Sequence, residues 1–103
     1  MRRVEWSESA SAEFLDALAY IAAESPQAAA LVGRRIRDAI GKLKYFNSGR
    51  QGRVEGTFEK VIARTPYIIA YDVRRDAKSR EVLFILHVFH TSLNWPEGEW
   101  PKR

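Results

Sequence analysis

Cysteine is absent from this chain of 103 residues, and no apolar run approaches the length of a membrane-spanning helix. Without cysteine the protein forms neither disulfides nor a thiolate metal site. The longest apolar stretch, residues 82–89, is short and contains a histidine. The N-terminus does not resemble a signal peptide, because Arg2 and Arg3 are followed by Val-Glu-Trp and not by an apolar segment. We therefore expect a cytoplasmic protein with no membrane association.

Basic side chains are missing from the N-terminal third. Between Ser7 and Gly33 there is no Lys or Arg, whereas Arg34 to Arg80 contains 13 basic residues against five acidic ones, and the net charge is +4. This skew predicts a basic surface and an anionic partner, either nucleic acid or an acidic protein segment. The alternative is a basic surface that is simply solvated.

Hydrophobic periodicity predicts two helices. Ser7 is an expected N-cap of the first, which ends near Glu24 and has its apolar stripe at Phe14, Leu18 and Ile21. Ser25 and Pro26 are expected to begin the second, because proline suits a first helical turn. The apolar stripe of that second helix consists of Val32, Ile36, Ile40 and Leu43. The two helices should form an antiparallel hairpin.

Strand patterns surround this hairpin. Residues with strand character lie at 2–6, 57–62, 67–73 and 82–89. Loop or turn chemistry lies at 47–52, 64–66 and 74–79. The predicted order is β-α-α-β-β-β, and the predicted fold is α+β, with the helical hairpin packed on a small, twisted antiparallel sheet. At this length we expect one domain over residues 1–103.

The last three strands carry a family resemblance. Their segments read GTFEKVI, TPYIIAYDV and VLFILHVFH, and they are followed by a His-x-x-x-x-Trp-Pro pattern at residues 90–96. Their order, the Thr-Pro-Tyr turn and this closing pattern resemble the ParE branch of the RelE/ParE toxin superfamily. The resemblance covers nearly the whole chain. It implies a toxin of a type II toxin–antitoxin system that inhibits DNA gyrase, uses no cofactor and forms a hetero-oligomer with a ParD-like antitoxin.

RelE-like members of the superfamily are instead ribosome-dependent mRNA endonucleases. At the position where those enzymes commonly carry an arginine against the scissile phosphate, this chain has Ile68, whose side chain offers neither a charge nor a hydrogen-bond donor. No tyrosine follows Tyr71 to match the C-terminal tyrosine of some nucleases. We therefore favour no catalytic residue. An endonuclease remains the alternative, and it would use His90, Arg53, Lys60 and Arg64.

Two histidines keep that alternative open, since imidazole is a general acid or base near neutral pH. His87 and His90 are three residues apart on one strand, so they point to opposite faces and cannot serve one site. A structural role is the expectation for each. Glu55 and Glu59 have no further metal-ligand pattern beside them, and we expect no metal site.

Two sets of residues are candidates for partner contacts. The target-binding candidates are Arg64, Arg74, Arg75, Lys78, Arg80 and Trp95. The antitoxin-binding candidates are Leu15, Ala22, Leu31, Arg34 and Arg35. A third interpretation, a basic nucleic-acid-binding module, is weaker, because no recognition-helix pattern is found and few aromatic residues are expected at the surface.

Overall fold

The chain folds as a helical hairpin against one sheet in a computed structural model that describes residues 2–93 and 97–101. The helices are α1 (Glu8–Ala22) and α2 (Pro26–Leu43). The strands are β1 (Arg3–Trp6), β2 (Arg50–Gln51), β3 (Phe58–Val61), β4 (Tyr67–Arg75) and β5 (Glu81–His90). The predicted α+β class and order of the main elements are confirmed. Within the described residues, no helix combines the length and apolar character that crossing a bilayer requires.

The sheet has the strand order β1-β5-β4-β3-β2. Strands β3, β4 and β5 pair with one another in antiparallel fashion, as predicted, and β2 adds to β3 in the same sense. Strand β1 is different, because it joins β5 in parallel, with Val4 opposite Leu83. The sheet is therefore mixed, and the expectation of an entirely antiparallel sheet was wrong for β1. A strand of four residues carries no sequence signal for its partner.

Two loop boundaries also differ from the prediction. The segment 47–52 contains β2, whose two residues pair with the start of β3. The segment 74–79 begins inside β4, because Arg74 and Arg75 pair with Val82 and Glu81 on β5. Charged side chains on the exposed end of a long hairpin resemble a loop in sequence, although the backbone hydrogen bonds continue.

The helix starts match the sequence signals. Ser7 and Ser25 cap α1 and α2, accepting hydrogen bonds from the N–H groups of Ala10 and Ala28 at 2.9 and 3.1 Å. The face of α2 that is buried consists of Ala29, Gly33, Ile36, Ile40 and Leu43. These positions follow the helical repeat, so the apolar stripe directs the helix onto the sheet.

The sheet is covered on both sides. The side packed on the helices, which we call the helix face, carries the main core residues Ile69, Tyr71, Leu83 and Ile85. The opposite side, which we call the tail face, carries the alternate residues, among them Ile68 and Phe89. The C-terminal tail lies there: the Trp100 ring is 4.6 Å from the ring of His87, and Gly98 N–H donates to the Arg53 carbonyl at 2.7 Å. Both faces are thus protected, as the apolar run of β4 predicts.

Strand β5 contains a β-bulge. Ala70 pairs with His87 and Tyr71 pairs with Ile85, so Leu86 is an extra residue on β5. Its carbonyl accepts a hydrogen bond of 2.7 Å from the Ser7 hydroxyl. The Ser7 N–H also donates to the Ile85 carbonyl at 2.9 Å. Ser7 therefore caps α1 and anchors the start of that helix to the bulge.

Candidate functional site

A basic groove of about 340 Å³ lies between α2 and the outer part of β3. We call it the α2–β3 groove. Its charged lining consists of Arg35, Asp38, Lys42, Lys60 and Arg64. Among the residues that the structure describes, none of the four cations forms an ion pair. Four cations beside one carboxylate make this groove suited to an anionic ligand.

Arg35 and Arg64 meet at one end of the groove. The Arg35 guanidinium donates to the Arg64 carbonyl at 2.9 Å. Arg64 has a φ of 61°, in the left-handed region, and belongs to the predicted tight turn between β3 and β4. Thr65 closes this turn, donating from its N–H and its hydroxyl to the Ile62 carbonyl. The structure therefore brings together a residue predicted to bind the antitoxin and one predicted to bind the target.

The β4–β5 turn is organised around Asp76. Its carboxylate accepts hydrogen bonds from the N–H groups of Lys78 and Arg80 and from the Arg80 guanidinium. These contacts, the Arg80 N–H foremost, hold the pKa of Asp76 below its usual value. Arg3 of β1 adds an ion pair at 3.3 Å. Arg80 is thus occupied in stabilising the turn.

Two neighbouring arginines are also held by the protein itself. Arg74 pairs with Asp72 at 2.9 Å and lies over the Phe84 ring, 4.2 Å from its centroid. The Arg75 guanidinium donates to the Ser79 carbonyl at 2.7 Å. These side chains nevertheless remain exposed and could present their outer faces to a partner.

The target-binding candidates do not form one patch. Arg64 precedes β4, whereas Arg74, Arg75, Lys78 and Arg80 lie at or beyond its far end. Nine residues of extended strand separate the two groups by roughly 25 Å. Trp95, the remaining candidate, lies outside the described residues. A single small ligand could not contact both groups.

The four residues of the alternative nuclease interpretation do not converge. Lys60 and Arg64 share the α2–β3 groove. Arg53 lies on the tail face, where its N–H donates to the Glu59 carboxylate at 2.8 Å. His90 is on β5, two strands away from Lys60 on β3, and it pairs with Tyr67 of β4. Ile68, in the position of the nuclease arginine, is 6% exposed and lies on the opposite face from Lys60 and His90.

Each histidine has partners of its own. The His90 ring packs edge-on against Tyr67, with centroids 5.4 Å apart, and its Nδ1 accepts from the Ser92 N–H at 3.1 Å. His87 stacks on Phe89 and lies 3.2 Å from the Glu13 carboxylate. These contacts fix both rings to the end of β5. The structural role expected for each histidine stays a prediction.

Two buried carboxylates were missed at the sequence level. Glu13, 5% exposed, accepts the Val88 N–H at 3.0 Å at the edge of β5 beyond the end of β1. Glu59, on the tail face, accepts from the Arg50 guanidinium at 3.1 Å and from the Arg53 N–H. Alternation along β3 was the only signal for Glu59. For Glu13, the signal of burial was the helical repeat, which places it on the same face of α1 as the buried Ala10.

The apolar antitoxin candidates differ in exposure. Leu15 is 64% exposed and, with Trp6, Ser11 and Phe14, lines a shallow apolar groove of about 330 Å³. Ala22 and Leu31 are half-buried. Of the basic candidates, Arg34 is exposed, whereas Arg35 lines the α2–β3 groove. The apolar and basic candidates thus belong to two different surfaces.

Three comparisons with known proteins point to the same family. The model of the family described as "ParE toxin of type II toxin-antitoxin system, parDE" matches residues 4–95. The candidate toxin Y4kP of Sinorhizobium fredii is 39% identical over 97 residues, which is 93% of this chain and 95% of that protein. A chain from the chromosomal ParDE toxin–antitoxin system of P. aeruginosa has the same fold. Its TM-score is 0.72 at 21% identity, covering 87% of this chain and 96% of that one.

Proposed function

The chain belongs to the ParE toxin family of type II toxin–antitoxin systems, and we propose that it inhibits DNA gyrase and is neutralised by a ParD-like antitoxin. In this proposal the toxin poisons gyrase on cleaved DNA, so that strand breaks accumulate and growth stops. It acts by binding, and its own side chains perform no bond chemistry.

One observation carries this proposal over the endonuclease alternative: the absence of a cation at Ile68. An endonuclease must stabilise the charge that develops on the scissile phosphate, and one such contact contributes about 3–4 kcal/mol. Ile68 is buried on the tail face, away from the groove that holds Lys60 and Arg64. Since Arg53 and His90 lie on opposite faces of the sheet, a bound RNA could not meet all four candidates in one geometry.

The antitoxin partnership is supported by the family and by the surface charge. The α2–β3 groove has four cations with no ion-pair partner in the described part of the chain. An acidic segment of an antitoxin would complement them. The exposed Leu15 and the apolar groove beside it supply a second surface where a helix could pack.

The test is a DNA-cleavage assay with purified gyrase, supercoiled plasmid, ATP and the antitoxin-free protein. We expect linear DNA that is covalently linked to gyrase and enters a gel only after proteolysis. The same preparation is added to ribosomes that carry a defined mRNA. Cleaved mRNA together with unaffected gyrase would overturn the proposal in favour of the endonuclease.

A further inference from the structure

Two neighbouring aromatic side chains are exposed directly after α2. Tyr45 is 63% exposed and Phe46 is 74% exposed. This differs from the expectation that few aromatic residues lie at the surface. Large apolar side chains that stay in water next to one another are candidates for contact with a ligand. The position of this pair relative to the basic residues decides which ligand that is.

The segment that carries the two rings is held at both ends. The N–H groups of Tyr45 and Phe46 both donate to the Lys42 carbonyl at 3.1 Å, which ties them to the last turn of α2. On the other side, the side-chain oxygen of Asn47 accepts a hydrogen bond from the hydroxyl of the buried Tyr71. The exposure of the rings is therefore part of the fold and does not come from a fraying helix end.

The aromatic pair lies beside the α2–β3 groove. Lys42 and Ser48 both line the groove, and Phe46 lies between them in sequence. The Ser48 N–H donates to the Phe46 carbonyl at 2.9 Å, so the chain turns tightly at this point. Two peptide units separate these residues, which places their Cα atoms at most about 7 Å apart. An aromatic surface and a basic groove thus adjoin.

The cations extend along the groove. Arg35 and Lys42 are seven positions apart on α2, which is about two helical turns or roughly 10 Å. Lys60 and Arg64 lie on the side of β3. These four cations and the carboxylate of Asp38 leave the lining with three net positive charges. Because phosphates of one strand follow each other at roughly 3.4 Å or more, two or three of them fit along this length.

We propose that the α2–β3 groove and the two rings beside it bind a single strand of nucleic acid. The cations of the groove contact the phosphates, and a base stacks on the exposed ring of Phe46, with Tyr45 next to it. Every nucleotide offers both contacts, so the site does not select a sequence. The strand must be unpaired, because a base inside a duplex has its faces covered by its neighbours. The inference goes beyond the proposed function, since nothing in this site requires gyrase.

A single strand matches this combined surface better than a peptide does. An acidic peptide would pair with the cations and leave the rings in water, and an apolar peptide would cover the rings and leave the cations bare. Each nucleotide carries a negative charge and a flat aromatic face together. An acidic antitoxin segment, proposed above for the same cations, would compete with the strand for them.

The test is a fluorescence-anisotropy titration of the full chain with a labelled oligothymidylate of about 12 nucleotides. We expect saturable binding. The logarithm of the association constant should fall with the logarithm of the salt concentration with a slope of about −3, because each phosphate contact contributes about −0.7 and the groove has four cations. Lys42→Gln combined with Lys60→Gln should reduce this slope to about −1.4. Lys78→Gln, in the distant β4–β5 turn, should leave it unchanged.

The stacking contact has its own variants. Phe46→Ala should weaken binding about tenfold and leave the salt slope unchanged, because no phosphate contact is lost. Tyr20→Ala removes a ring of α1 that is 81% exposed, away from the groove, and should change neither quantity. An abasic oligomer with the same number of phosphates should bind about tenfold more weakly and should not respond to Phe46→Ala. Both rings are exposed, so both variants should fold, and thermal midpoints check this.

Several outcomes would overturn the inference. Absent binding of the oligothymidylate removes the site. Equal affinities of Phe46→Ala and Tyr20→Ala, or of the abasic and the complete oligomer, would leave a contact between polyions without stacking. A duplex that binds as tightly as the single strand would contradict the need for unpaired bases. An oligouridylate should bind as the oligothymidylate does, because neither contact involves the 2′-hydroxyl, and a preference for RNA above about tenfold would contradict this geometry.

The titration involves neither gyrase nor an antitoxin, so its result is independent of the proposed function. A chain that poisons gyrase but ignores the oligothymidylate refutes this inference alone. A chain that binds the oligothymidylate without poisoning gyrase refutes only the gyrase target.

Discussion

The Glu13 carboxylate accepts a hydrogen bond of 3.0 Å from the Val88 backbone N–H, across 75 positions of sequence. Strand β1 covers the edge of β5 only as far as Ile85. Beyond that point a helix side chain satisfies the exposed strand edge in place of another strand. His87, 3.2 Å from the same carboxylate, completes this contact between α1 and β5.

Replacement of Glu13 should therefore destabilise the fold. Glu13→Ala leaves the buried Val88 N–H without its acceptor, and we expect a loss of about 2–3 kcal/mol in the free energy of unfolding. Glu13→Gln retains an oxygen that can accept the same hydrogen bond and should lose less. Asp16→Ala, an exposed acidic residue of the same helix, should change stability by less than about 0.5 kcal/mol. Urea unfolding measures all three, and equal losses for the two Glu13 variants would contradict this role.

Two glycines should respond oppositely to alanine. Gly41 is in α2 and has open space around it, so Gly41→Ala should stabilise the protein by about 0.5–1 kcal/mol through helix propensity. Gly49→Ala should destabilise it, because the added carbon collides with the Tyr71 hydroxyl and approaches the Glu59 carbonyl. Thermal unfolding distinguishes the two. A higher thermal midpoint for Gly49→Ala would contradict this prediction, because it would mean that the backbone at residue 49 can move away from the Tyr71 hydroxyl without a loss of stability.

Because of the contacts at Asp76, we expect the stability of the protein to depend on pH in the acid range. The folded pKa of Asp76 is lowered by the Arg80 and Lys78 N–H groups and by the Arg80 guanidinium. A lowered folded pKa contributes stability above the unfolded value of about 3.9, and this contribution is lost as the pH falls through the folded pKa. Asp76→Asn should thus be less stable than the native chain at pH 6, with the difference shrinking below about pH 4. A constant difference in urea midpoints across this range would contradict the assignment.

Ile68→Arg should destabilise the protein and create no nuclease. The side chain is buried on the tail face, and an unpaired buried charge costs on the order of 3–5 kcal/mol. Val61 is the cross-strand partner of Ile68 and is half-exposed, so Val61→Arg should be tolerated within about 1 kcal/mol. Urea unfolding and ribosome-dependent mRNA cleavage are measured on both variants. A stable Ile68→Arg protein that cleaves mRNA would mean that a nuclease site was nearly complete.

His90→Ala should leave the effect on gyrase nearly intact. The ring packs on Tyr67 and accepts from the Ser92 N–H, so its removal affects the end of β5 and not a reaction. The gyrase cleavage assay is the measurement, and the thermal midpoint of the variant is its control. Loss of the cleaved-DNA product from a folded His90→Ala protein would point to a direct part for this histidine.

Local features of the fold could be predicted from the sequence, whereas features that depend on distant residues could not. Ser7, Ser25 and Pro26 act within one turn of their helices, so their pattern sufficed to predict both helix starts. The parallel partner of β1 and the bulge at Leu86 depend on residues roughly 80 positions away. Composition around either segment contains no trace of those contacts.

The candidate site divides in the same way. A basic central region was evident, and the structure collects four of its cations in the α2–β3 groove. The hydrogen bond between Arg35 and the Arg64 carbonyl spans 29 positions, and the sequence contains no sign of it. The two residues were therefore assigned to different partners, Arg35 to the antitoxin and Arg64 to the target. The arginines around Asp76 looked equivalent in sequence to those of the groove. Only the carboxylates that pack beside them distinguish a turn held by ion pairs from a surface free to bind.

The parallel pairing of β1 with β5 has a consequence for synthesis on the ribosome. Strand β1 is synthesised before both helices, whereas its partner on the sheet, residues 82–85, is synthesised after them and after three further strands. Until then the nascent chain holds a helical hairpin whose apolar face has no completed sheet to cover. The sheet therefore cannot be completed before β5 is synthesised, and we expect a polypeptide interrupted before β5 to be a substrate for chaperones and proteases.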